Sequence, residues 1–419
     1  MTYDLIIRNA RLRNRKAHVD IGIAKGVIRK IAKKISGRAR KVIRADGNLV
    51  TESFVNPHLH LDKVYTLEMQ DSAALEAYRG GTMGAAMKAI EEAARVKETY
   101  DERWILQNVR RALRLAAGFG NTHIRAFADV DSKAKLIGVK ALLKARDEFK
   151  GIVEVQVVAF PQDGVVREPG TSDLIREAMD LGADVVGGIP WIEYTAEGER
   201  RHIDEMLEIA KVYDADVSML VDDAGDPGLR TLETLAVRAI EEGRIGRCLA
   251  HHARAMSMYP EPYFRKVCAL LKKADMGLIT DPHTGPLHAR AKELIAEGVL
   301  VALGQDDIAD AYYPFGRNNM LEVGFLAVHM LWMTTFPEME TIYDMITVDA
   351  ARSMNIPRFR IQTGSPAHLV VLDASSVYEA LWTHRAPLQV VSHGSLVDLN
   401  SLPGSRSRRN QRRPRSRRR

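Results

Sequence analysis

The sequence predicts an α/β fold: a (β/α)8 barrel of the TIM type, carrying a small β-sandwich-like domain formed by the N- and C-terminal segments. Three observations predict it. Eight short apolar runs alternate with helix-periodic segments through the middle of the chain. Polar or ionisable residues close almost every one of those runs. Strand-like text of a different texture occurs at both ends of the chain.

The N-terminal runs Tyr3 to Arg8, His18 to Ala24, Val27 to Ile31 and Lys41 to Arg44 are short, alternating and separated by Gly- and Lys-rich turns. The same texture returns in Gly364 to Asp373 and Leu388 to Gly394. Residues 1–50 and 360–400 are therefore expected to pair into one composite β domain, with residues 51–359 as the barrel and 401–419 as a disordered Arg-rich tail.

Within the barrel region the expected strands are Ser53 to His60, Thr122 to Asp129, Val153 to Phe160, Asp184 to Gly188, Asp216 to Asp222, Arg247 to His252, Met276 to Asp281 and Leu300 to Asp306. Helical periodicity fills the gaps, as in Arg103 to Ala117, Ser132 to Phe149, Ile203 to Tyr213 and Tyr263 to Lys273. A doubly wound open sheet would show the same alternation. The polar strand ends favour the barrel, because there all C-terminal ends converge on one mouth.

Composition narrows the function classes. A chain of 419 residues exceeds what one hydrophobic core holds, which suits a barrel plus an accessory domain. No apolar run reaches the ~18 residues of a membrane span. Met1 to Arg8 reads as a strand rather than an export leader, and Cys248 and Cys268 form no CxxC cluster, so a cytoplasmic enzyme without thiolate metal sites is expected. The net charge of +6 does not imply nucleic acid: residues 401–419 hold nine arginines and no acids, and subtracting them leaves −3 for the first 400 residues. The expected partner is a small molecule, with a homo-oligomer left open.

The chemistry centres on His58-Leu59-His60. Side chains at i and i+2 of a strand share a face, so both imidazoles could hold one divalent ion. Asp306 ends the eighth run, and the first and eighth strands are neighbours in a closed barrel. An HxH alone is a weak signal; HxH with that carboxylate points to a metal centre. Such an ion lowers the pKa of bound water toward about 7.

At these residues a resemblance becomes explicit. Phe54 to Lys63 (FVNPHLHLDK) resembles the metal-binding first strand of the amidohydrolase superfamily. Val155 to Gly164 (VQVVAFPQDG), Leu181 to Pro190 (LGADVVGGIP), and Gly304 to Asp307 followed by Tyr313-Pro314 and Asn319 to Leu321 are similar to its cytosine deaminase branch. The likeness runs in order from about residue 3 to residue 397.

The resemblance implies a hydrolase of carbon–nitrogen bonds in a small nitrogen heterocycle, using one zinc or iron ion, or manganese. It implies His58, His60 and Asp306 as metal ligands, Gln162 as partner of the substrate's ring amide, and Asp307 as the acid binding its amino side. Asp223 falls on a proton shuttle, His252 on a histidine contacting the hydrolytic water, and Asp306 also serves as base. A cytosine-like pyrimidine leads as substrate, with N-dealkylation of a triazine-like ring or cyclic amide as the alternative.

The chain also departs from that pattern. The branch takes a third metal histidine from its fifth strand, where this sequence has Leu220. Asp222 or Asp223 reaching in, fewer protein ligands with more water, or loss of the metal altogether are the open outcomes. Asp222 shares the parity of Leu220 and is the preferred substitute. Loss would make the protein a metal-poor binding protein. On the second strand Phe127 stands where the resembled family often shows histidine, and its ring is expected to tighten or dry the pocket.

Structural readings stand beside several of these assignments. Gln162 could cap a loop, Asp306-Asp307 could cap a helix, and His251-His252 could be one satisfied core histidine beside an exposed one. His283 and His288 are balanced between substrate contact and surface, Tyr312 and Tyr313 between pocket wall and packing, and Lys63 between surface and substrate.

Overall fold

The computed structural model describes residues 2–404 except 14, 70–75 and 77–82. Strands β1 (Thr2–Ala10), β2 (Val19–Ala24), β3 (Val27–Ala32) and β4 (Arg38–Arg44) form one sheet in the order β3-β2-β1-β4. β5 (Val50–Glu52) leads into the eight parallel strands β6 (Phe54–His60), β7 (Asn121–Asp129), β8 (Glu154–Phe160), β9 (Val185–Gly188), β10 (Asp216–Val221), β11 (Cys248–His252), β12 (Gly277–Thr280) and β13 (Val301–Leu303). These eight are hydrogen-bonded in sequence order. The chain then returns through β14 (Leu369–Val371), β15 (Gln389–Ser392) and β16 (Ser395–Leu396), which pair with β5 in the order β16-β15-β14-β5.

The two small sheets share an apolar core. Leu5, Ile7, Ile21 and Ile23 from the N-terminal strands pack with Val50, Leu369, Val371 and Val391. Leu402 is buried as well, so packing continues past the expected tail boundary at 401; the arginines of the tail, 406–419, lie outside the described residues. Both cysteines are free and buried. Among the described residues no helix is long and apolar enough to cross a membrane.

Backbone bonding between β6 and the segment after β13 closes the barrel. The Asp306 N–H donates to the His58 carbonyl at 2.9 Å, and the His60 N–H donates to the Asp306 carbonyl at 2.8 Å. Leu59 and Asp306 thus form a parallel bridge, and an open doubly wound sheet is ruled out. Gly304 permits this approach: a Cβ there would stand 2.6 Å from His58 Cβ. Barrel strands are buried on both faces, with helices outside and side chains within, which explains their nearly unbroken apolar text.

Several strand ends leave the barrel through left-handed backbone, with φ of +46° at Asp222, +66° at His252 and +68° at Asp306. Each is an uncommon conformation for a residue with a Cβ. It breaks the strict alternation of a strand, so inward parity cannot be extrapolated across it.

Asp222 shows the consequence, and corrects the expectation that it replaces the missing metal ligand. Its carboxylate turns to the start of the helix Thr231–Glu241 and accepts from Thr231 N at 2.7 Å, Thr231 Oγ1 at 2.6 Å and Leu232 N at 3.3 Å, and also from the Tyr259 hydroxyl. It caps a helix. Asp222→Ala would leave several buried donors unpaired, so it is expected to cost about 2–4 kcal/mol while metal content stays near wild type. Chemical denaturation and elemental analysis check this; loss of metal from a folded variant would contradict it.

Candidate active site

At the mouth of the barrel one carboxylate oxygen gathers three imidazoles. Asp306 Oδ1 lies 3.0 Å from His58 Nε2, 3.9 Å from His60 Nε2 and 4.0 Å from His252 Nε2. Its other oxygen is held by the Thr284 hydroxyl at 2.8 Å. Among the described residues, two trios of possible ligands stand out, His58/His60/Asp306 and His252/Asp281/Asp306, each with its ligand atoms within 4.8 Å of one another.

The two strand histidines suit a cation chemically. Burial, then His252, holds His58 well below the usual histidine range; burial, then Lys63, does the same for His60. Both rings are therefore neutral, the form that ligates metals. Two imidazoles and a carboxylate are a donor set for zinc or iron rather than for a hard ion such as calcium. Burial and the neighbouring Asp281 raise Asp306 well above the usual carboxylate range, a strain that a cation at Oδ1 would relieve. The residues fit one divalent ion.

Apolar side chains shape the rest. Phe127 is fully buried, 4.5 Å ring to ring from His58 and 5.3 Å from His60, and packs edge-on against Phe160 behind the imidazoles. Leu220 does line the pocket, with Ile90, Ile189 and Trp191 as the other apolar walls. Its partner across the ladder, His251, is buried with neither ring nitrogen bonded, 4.6 Å from His58. His251 and His252 are thus both buried, which corrects the reading of one satisfied and one exposed ring.

The polar wall holds Gln162, Asp223, His252, Arg254, Asp306, Asp307 and Tyr312. Lys63 is not at the surface: it is buried, pairs with both oxygens of Asp129 at 2.9 and 3.0 Å, and donates to Gln162 Oε1 at 3.1 Å. Lys97 lies beside it, bridging Asp131 at 2.7 Å and Asp163 at 2.8 Å. Burial and the adjoining Asp306 and Asp310 push Asp307 well above the carboxylate range. His283 packs 5.4 Å from the Tyr313 ring, while His288 bonds the Ala289 carbonyl away from the pocket.

Sequence reasoning missed Arg254. Its Nε lies 2.6 Å from Asp223 Oδ1, and its Nη2 is 3.0 Å from Thr284 Oγ1 and 3.4 Å from Asp281 Oδ2. It sits in the 3-10 turn Arg254–Met258, beyond the strand, where no periodicity marks a side chain as inward. Asp281 was visible as a polar strand end, but its bond to His252 Nδ1 at 2.8 Å was not.

A closed barrel with a His–His–Asp cluster at its C-terminal mouth defines a class of barrel hydrolases. The sequence profile of the Amidohydrolase family matches residues 41–398, and the chain belongs to that family, as a hydrolase acting on carbon–nitrogen bonds. It is 32% identical over 398 residues to N-isopropylammelide isopropyl amidohydrolase of Pseudomonas sp. (strain ADP), covering 94% of this chain and 97% of that one. Pterin deaminase of Rhizobium rhizogenes is 26% identical, with 92% and 89% covered. Among solved structures, 5-methylcytosine deaminase from Klebsiella pneumoniae liganded with 5-fluorocytosine superposes with a TM-score of 0.85 at 29% identity, over 94% of this chain and 97% of that chain.

Without a metal, the acids crowd around His252. Burial opposes charge on this ring, but Asp223, Asp281 and Asp306 overcome it and raise its pKa from 6.5 to about 9. A group raised on folding stabilises the fold fully below its unfolded pKa, and that contribution is lost as pH climbs through the folded one. In metal-stripped protein the His252 ring is therefore expected to titrate near pH 9, with stability falling between about 6.5 and 9. Ring-proton NMR and melting curves across that window check it; a midpoint below 6.5 would contradict it.

Proposed function

We propose that the protein hydrolyses a carbon–nitrogen bond at a ring carbon of a small, oxo-substituted nitrogen heterocycle, with one divalent ion held by His58, His60 and Asp306. The single observation that carries this is the convergence of the His58 and His60 imidazoles on Asp306 Oδ1 beside a pocket with both apolar and hydrogen-bonding walls. When bound, the ion would supply the Lewis acidity that makes water nucleophilic near neutral pH.

The chain's own residues account for the remainder. Lys63 occupies Gln162 Oε1, which leaves the Gln162 amide N–H2 as the group offered to a ring carbonyl. Asp307, held toward its protonated form, belongs to the same polar wall and binds the substrate's amino side. Asp306 accepts the proton of the attacking water, and Asp223, positioned by Arg254, carries a proton to the ring nitrogen or departing amine. The water's hydroxyl ends on the ring carbon and its proton on the leaving nitrogen. Phe127 and Phe160, packed against the imidazoles, lower the polarity behind the centre and strengthen its electrostatic interactions.

Deamination of a cytosine-like pyrimidine is the leading reading, supported by the likeness to a 5-methylcytosine deaminase. Release of an alkylamine from a triazine-like ring is the second, favoured by the 32% identity to an N-isopropylammelide hydrolase and by the apolar wall of Ile90, Ile189, Trp191 and Leu220. A screen of pyrimidines, triazines and cyclic ureas for released ammonia or amine separates them. His60→Ala is expected to lose the metal and to lower kcat/KM by at least ~10³-fold. Retained turnover in that variant would overturn the assignment, and a wild-type protein that takes up no zinc, iron or manganese would instead be a binding protein.

A further inference from the structure

We propose that a cleft at the N-terminal end of the barrel, opposite the mouth, binds a small phosphate-bearing ligand through Arg352, Arg358 and Arg360. The site uses none of the residues assigned to the mouth and is independent of the functional reading.

The segment that follows the barrel builds the cleft. The helix Val348–Ser353 and the turn after it pack beneath the barrel, where Ala350, Ala351 and Met354 cluster with Val55 and Ala302. Three hydrogen bonds fix the level. The Val55 N–H donates to the Ile346 carbonyl at 3.1 Å, Gln156 Nε2 to the Met354 carbonyl at 3.3 Å and Asn355 Nδ2 to Asp216 Oδ2 at 2.8 Å. Val55, Gln156 and Asp216 fall within the first three residues of β6, β8 and β10, whereas His60 closes β6 at its other end.

Charge at this end is unbalanced. Arg352, Arg358 and Arg360 are exposed around one hollow of about 460 Å³, and their side chains have no hydrogen-bond or ion-pair partner among the described residues. The nearby acids are committed elsewhere: Arg13 takes Glu340 at 2.7 Å and Asp344 at 2.6 Å. Asp349 is the one acid in the lining, half-buried, and burial and then Asp344 push its carboxyl above the usual range. One weakened acid thus stands against three guanidiniums.

The shape and chemistry select the ligand. The hollow has the volume of a small-molecule site. Arginine forks match phosphate oxygens two at a time, and three of them around one space call for a ligand with more than one negative charge. Ile356, Pro357 and Phe359 give the same hollow an apolar side for an organic body. Arg360 also borders a second hollow of about 220 Å³ that holds Arg15, likewise exposed and unpaired, so the positive surface continues beyond the cleft.

Calorimetric titration of the full-length protein with pyrophosphate and with ADP at low ionic strength tests this. Both are expected to bind, and Arg352→Ser/Arg360→Ser should weaken both at least ~100-fold, since each charge-assisted hydrogen bond is worth about 10–100-fold. Arg40→Ser, at an exposed arginine of β4, should bind as the wild type does. Tighter binding of ADP would assign the apolar side to the ligand's organic body, and tighter binding of pyrophosphate would assign the site to inorganic diphosphate. Either probe failing to bind at millimolar concentration leaves the other to decide; failure of both, or unchanged affinity in the folded double variant, would overturn the proposal. So would a DNA duplex that binds more tightly than ADP through the same two arginines, because the partner would then be a nucleic acid.

Discussion

The site depends on the way the barrel closes. A pair of backbone hydrogen bonds sews the end of β6 to the residue that follows β13, and the residues on either side of that seam are His58, His60 and Asp306. The bonds that complete the fold also bring these side chains, from distant sequence segments, to a common point. That coupling explains Gly304, since any larger residue there would hold the eighth strand away from His58. Fold closure and ligand geometry are one constraint, so precision at the centre is inherited from the barrel rather than from mobile loops.

Around the seam the protein arranges charge in two compartments. One is the acidic group Asp223, Asp281 and Asp306, facing His252 and Arg254. The other is the group Asp129, Asp131 and Asp163, facing Lys63 and Lys97. Buried charges persist only when paired and hydrogen-bonded, because desolvating a lone ion costs several kcal/mol. The second compartment is self-contained and serves to position Gln162 through Lys63. In the first, His58 and His60 stay neutral while three carboxylates crowd a small volume, which leaves the centre electrostatically ready for a divalent cation.

Much of this was legible in the sequence, for identifiable reasons. All eight barrel strands fall within a few residues of the apolar runs, because burial on both faces leaves a dense Val, Ile, Leu and Ala signature. His58, His60 and Asp306 could be read from strand parity and the adjacency of first and last strands. Asp222 could not: parity extended past β10 pointed it inward, whereas the backbone at that residue is left-handed and the side chain caps a helix. Arg254 escaped, and Lys63 was left undecided between surface and substrate, because both lie beyond the strands, where direction is set by tertiary contacts that no periodicity records. The pairing of His252 with Asp281 joins positions 29 apart in the chain and was likewise invisible.

The most direct test is a crystal structure of the zinc-loaded protein with anomalous scattering collected at the zinc edge. The account predicts one strong peak at the mouth of the barrel, about 2.0–2.2 Å from an imidazole nitrogen of His58, an imidazole nitrogen of His60 and a carboxylate oxygen of Asp306. A peak elsewhere, or zinc bonded to only one of those three side chains, would contradict it.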